Sequence, residues 1–60
     1  MDTKDIEVKF DPKTKMYTAI FLKGHVATEG ATKKEALENL REASKVVIDT
    51  LIDLKEEELT

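Results

Sequence analysis

The chain has 60 residues, with no Cys, no Trp, one Pro and two Gly, and ten basic against thirteen acidic side chains for a net charge of -3. That length holds one small domain, residues 1–60, and a hydrophobic content of 40% separates it from disordered chains. The missing Cys excludes disulfides and thiol chemistry, and a single His leaves no ordinary zinc site. There is neither a long apolar run nor a basic-then-apolar leader, so the sequence reads as cytoplasmic, with no membrane partner.

Ile6, Val8 and Phe10 alternate with Glu7 and Lys9, the period of a strand with one buried face. Asp11-Pro12-Lys13-Thr14-Lys15 follows as a turn, since Pro12 presets φ at a corner and the Asp11 carboxylate can accept from the backbone ahead. Residues 16–22 are apolar on both parities, with Tyr17, Ala19 and Phe21 on one face and Met16, Ile20 and Leu22 on the other. A strand of that kind calls for cover on both sides. Lys23-Gly24 reads as a two-residue hairpin connection in which the glycine takes positive φ, leading to a third strand that starts at His25 and runs to Glu29. The expected sheet is a three-stranded antiparallel meander with the second strand central.

Thr32 and Glu35 have the spacing of a capping box and open a helix. Beyond them Ala36, Leu37, Leu40, Ala43, Val47, Ile48, Leu51, Ile52 and Leu54 recur at three- and four-residue spacing with no Gly or Pro between, which predicts one helix over about residues 33–57. The expected fold class is therefore α+β, three strands followed by one long helix packed on the sheet (β-β-β-α). Such a helix would be about 38 Å long against about 20 Å for a strand, so its second half overhangs the sheet. On this reading Leu51, Ile52 and Leu54 have no partner within the subunit. Together with Val47 and Ile48 they are the expected self-association residues of a homodimer or dimer of dimers. A domain this small, with no disulfide or metal, needs support of that sort.

No constellation for catalysis emerges. His25 has no second His or Cys beside it, Ser44 is expected to bond the carbonyl one helical turn back, and Gly24 and Gly30 do not make a phosphate loop. Glu38, Glu42, Asp49, Asp53 and Glu56 fall opposite the apolar stripe, where charge is solvated, and Asp5, Glu7 and Glu29 are too few for a divalent-metal site. The chain is read as a non-enzyme with no cofactor and no metal. Residues 1–34 carry +2 and residues 35–60 carry -5. Lys9, Lys13, Lys15, Lys23, Lys33 and Lys34 are spread near the sheet edges while the helix is acidic, so direct DNA binding is not expected. Gln is absent and Asn occurs once beside abundant Lys and Glu, as in heat-adapted proteins.

Tyr17-Thr18-Ala19, then Gly24, the Glu29-Gly30-Ala31-Thr32 turn, and Glu35-Ala36-Leu37 opening a helix that continues to Glu42-Ala43 resemble the HicB-like antitoxin family over residues 6 to about 54. In that pattern Gly30 permits a sharp turn, Thr32 caps, and Ala36, Leu37, Leu40 and Ala43 face the sheet. The resemblance implies a partial ribonuclease-H-like fold and a protein that self-associates and neutralises HicA, a small basic toxin that degrades messenger RNA. An acidic blocker suits a basic RNA-binding target. Tyr17, Phe21, Lys23 and His25 are the candidate partner-facing residues. The chain departs from the family in its short 21–24 connection and in His25, which stands where Cys is frequent. It also departs in ending after the helix, a truncated form with neither a fourth strand nor a DNA-binding tail. The alternatives are an orphan HicB-like oligomer acting as a scaffold or small-ligand binder and, last, a nucleic-acid-binding regulator.

Overall fold

The computed structural model describes residues 3–45 and 47–59. A short 3-10 turn, Thr3–Asp5, leads into β1 (Ile6–Asp11), β2 (Met16–Phe21) and β3 (Val26–Gly30), followed by α1 (Lys33–Ala43) and α2 (Asp49–Glu58). The sheet is antiparallel in the order β1-β2-β3, as the alternation predicts. Register aligns Ile6 with Phe21 and Val26, Val8 with Ala19 and Thr28, and Phe10 with Tyr17 and Gly30. These residues form the face under the helices. Glu7, Lys9, Thr18, Ile20, Ala27 and Glu29 alternate with them onto the opposite, open face.

The core is continuous from sheet to helices. Ile6, Ala19 and Phe21 are buried with Ala36, Leu37 and Leu40 of α1 and with Ile48, Leu51 and Ile52. α1 is fixed at its start by the Thr32 hydroxyl, which accepts from the Glu35 N–H at 3.0 Å and so satisfies one of the helix's free donors. It is tied to β3 by two further bonds. The Thr28 hydroxyl donates to the Ala36 carbonyl at 2.9 Å, and the Asn39 amide donates to the Glu29 carbonyl at 2.7 Å.

The single long helix of the sequence reading is replaced by two. Ser44 ends α1 in extended backbone, its N–H donating to the Leu40 carbonyl at 3.0 Å, and α2 begins after Ile48. Ser44 is thus a helix terminator rather than a residue inside a continuous helix. The balance of energies explains the break. A straight helix would leave Ile48, Leu51 and Ile52 in water, and burying three such side chains contributes about 5–9 kcal/mol. About four helical hydrogen bonds are given up at roughly 1 kcal/mol each. Val47 and Ile48 are β-branched, which lowers the cost of leaving the helix there. α2 accordingly folds back along α1. Arg41, late in α1, reaches Asp49 at the start of α2 at 3.8 Å and Asp53 at its middle at 2.8 Å, and also Glu38 at 3.2 Å. The Asp53 hydrogen bond is the largest of the influences that raise the Arg41 pKa above its ordinary value.

The second turn also changes, whereas in the first the Asp11 carboxylate accepts from the Lys13 N–H at 2.9 Å as expected. Gly24 does not carry the positive φ of the second turn; His25 does, at 54°, and β3 starts one residue later at Val26. Lys15 does the same at the end of the first turn, with φ of 60° and its N–H donating to the Asp11 carbonyl at 2.7 Å. In both, the left-handed residue is the last before the next strand.

Candidate interaction surface

Strand alternation and turn geometry send the four predicted partner-facing residues to different places. Phe21 is 2% exposed and belongs to the core, because its parity puts it under the helices beside Ile6. Tyr17 shares that face but lies at the other end of β2, roughly 13 Å along the strand. There its ring meets Phe10 at 5.2 Å between centroids, and the Lys33 ammonium sits 5.8 Å over it. Lys23 and His25 are exposed in the β2–β3 turn, and Lys23 reaches the Asp5 carboxylate at 3.6 Å. Tyr17 therefore does not join Lys23 and His25 in one patch.

The predicted self-association set also divides. Ile48, Leu51 and Ile52 are buried within the subunit, which corrects the expectation that Leu51 and Ile52 lack a partner there. The cause is the reversal of α2. Val47, in the connection, and Leu54, on the outer side of α2, remain exposed. Ala43 is exposed at the end of α1 rather than facing the sheet.

One feature escaped the sequence reading. A groove of about 900 Å³ opens between the first turn of α1 and the last turn of α2, with Tyr17, Leu37 and Leu59 among its walls, Lys33 and Lys34 on one side, and Asp53 and Glu56 on the other. Glu56 holds its proton more tightly than an ordinary carboxyl, first through a hydrogen bond with Glu38, then through burial and the charge of Glu38, against the opposing pull of Arg41 and Lys34. Seen from the sequence, those two carboxylates were solvated surface; only the return of α2 puts them together. The outer edge of β1, expected from the sequence to be open if no further strand follows the helix, carries Phe10 near its end with 53% of its surface exposed. No strand lies along that edge among the described residues.

Charge separates by layer. Residues 1–32 hold five Lys and five acids, whereas residues 33–60 hold five basic and eight acidic side chains, so the net -3 belongs to the helical half. Among the described residues no group of three or more His, Asp or Glu side chains is placed to hold a metal ion, and no helix is long and apolar enough to cross a membrane. Comparison with protein-family models, with curated proteins and with solved structures returned no match.

Proposed function

We propose that the chain is a non-enzymatic, HicB-like protein-binding module that self-associates and neutralises a HicA-like, messenger-RNA-degrading toxin by masking it. The observation that supports this reading is the placement of the whole net negative charge on the helical layer, where exposed Glu35, Glu42, Asp49, Asp53 and Glu57 offer a complement to a basic RNA-binding protein. Complementary charge speeds encounter and orients it without requiring chemistry from the blocker. The test is co-purification with a small basic protein encoded beside this gene, followed by an RNA-cleavage assay of that protein with and without the chain. Stoichiometric inhibition, with association slowing steeply as salt rises, supports masking. No binding and no inhibition refutes it.

The groove beside Tyr17 favours a second reading, an orphan oligomer that acts as a scaffold or binds a small ligand. An apolar floor between a lysine pair and a carboxylate pair suits a compact zwitterion better than a nucleic acid. Amide chemical shifts of Lys33, Lys34 and Leu37 that move on titration with amino acids would support this reading, and their indifference would dismiss it.

A further inference from the structure

We propose that the open edge of β1 is a homodimer seam: two copies pair their β1 strands antiparallel about a two-fold axis at Val8, joining two three-stranded sheets into one continuous sheet. The inference rests on the self-association half of the proposed function and names the surface that carries it.

The direction of the edge groups follows from the sheet. The Leu22 N–H donates to the Asp5 carbonyl at 2.9 Å, extending the β1–β2 register by one pair. Hydrogen-bonded positions alternate in an antiparallel ladder, so Asp5, Glu7, Lys9 and Asp11 turn their backbone groups towards β2. Ile6, Val8 and Phe10 turn theirs to the open edge. The same alternation sends the backbone of Ala27 and Glu29 to the outer edge of β3, but there the Glu29 carbonyl is occupied by the Asn39 amide at 2.7 Å. β1 is the edge left for a strand.

Its side chains select one register. With Val8 opposite Val8, Ile6 meets Phe10 of the second copy and Glu7 meets Lys9 of the second copy, on both sides of the axis. A shift of two residues either way sets Glu7 against Glu7 or Lys9 against Lys9 at the axis, and a shift of one mismatches the faces. Within one chain the Lys9 ammonium already lies 3.3 Å from the Glu7 carboxylate, so in the dimer the four charges alternate in sign around the axis. Phe10, 53% exposed in the single chain, is withdrawn from water. The seam ends where Asp11 would oppose Asp5 of the second copy. Asp5 belongs to the 3-10 turn, which leaves the strand, and its carboxylate is held by Lys23 at 3.6 Å.

The experiment is sedimentation equilibrium on the wild type, Glu7→Lys, Lys9→Glu and the double exchange, with circular dichroism to confirm folding. All three variants alter solvated side chains of the open face. The wild type is expected to dimerise, each single variant to weaken the dimer by about tenfold or more, and the double variant to restore it. Glu7→Lys lowers the net negative charge and Lys9→Glu raises it, so a non-specific charge effect would drive the two in opposite directions. A single-chain mass at millimolar concentration overturns the proposal. So does a dimer indifferent to these variants, an outcome that leaves self-association standing on another surface. Inhibition of the toxin by the monomeric single variants, measured separately, tests masking independently of the seam.

Discussion

Replacing Gly30 by Ala is expected to remove a large share of the stability of this domain. A methyl group on Gly30 would lie 2.4 Å from the Ala36 nitrogen, 2.8 Å from the Glu35 carbonyl carbon and 2.9 Å from the Ala36 Cα. All three are main-chain atoms of the first turns of α1, so no rotamer change relieves the overlap. Ordinary contact begins at about 3.5 Å, and α1 must therefore retreat from β3 by about 1 Å. That movement strains the bonds from Thr28 to Ala36 and from Asn39 to Glu29, and it loosens Leu37 and Leu40 in the core. Overpacking of this kind costs about 1–3 kcal/mol and each of the two weakened hydrogen bonds up to about 1 kcal/mol, for a total of about 1–5 kcal/mol. A domain of 60 residues has roughly 3–9 kcal/mol altogether, so Gly30→Ala should lose a large fraction of it and unfold at markedly lower urea. Urea titration followed by far-ultraviolet circular dichroism measures the loss. Because the clash is with backbone, adding Ala36→Gly should not rescue it. A midpoint within about 0.5 kcal/mol of wild type would refute the close approach of α1 to β3.

Thr32→Ala removes the acceptor for the Glu35 N–H and should cost about 1 kcal/mol in the same titration, whereas a loss near zero would mean the cap is idle. Ile52→Ala, at a position with no exposed surface, should cost about 2–5 kcal/mol, while Val47→Ala, 83% exposed, should stay within about 0.5 kcal/mol. Equal, small losses would restore the straight helix. Glu56 has a raised pKa in the folded state, so the stability it contributes is complete below the ordinary value of 4.5 and is lost as pH rises through the folded value. Glu56→Gln should therefore match the wild type in acid and exceed it near neutrality, by less than about 1 kcal/mol because the pair is partly solvated. Melting temperatures measured on both sides of 4.5 decide this, and a variant less stable at neutral pH contradicts it.

The sheet was legible because strand alternation states a face at every second residue: Ile6 and Val8 share the apolar face of β1 with no need of tertiary information, whereas which face of the doubly apolar β2 lies under the helices is decided by packing, which takes Ala19 and Phe21. The helix break was not legible from periodicity, which reports the face a residue would present and not whether the chain stays straight. Ser44 and the β-branched residues after it make a break affordable, but what enforces it is the burial of Ile48, Leu51 and Ile52 against a sheet made elsewhere in the chain. Gly24 misled for a related reason. Its value here is small size rather than φ, since a Cβ would sit 2.7 Å from the Phe21 ring, and the strained backbone is carried by His25.

The interaction surface shows the same division between local and assembled information. Glu7 and Lys9 read as the solvent side of a strand, and within one chain that is what they are. They gain a further meaning only from strand order, which leaves β1 outermost, and from Asn39, which occupies the corresponding edge of β3. An edge strand with matched apolar residues and no charge pattern would pair in several registers and invite open-ended aggregation. In the proposed seam, opposite charges flanking Val8 would penalise the neighbouring registers, and pairing about a two-fold axis would use up the β1 edge of both copies. The two remaining outer edges are β3 strands, each closed at Glu29 by its own α1. On the proposed pairing, the sequence around Val8 would couple attraction to termination, and an edge that is otherwise a hazard would become a contact that stops at two.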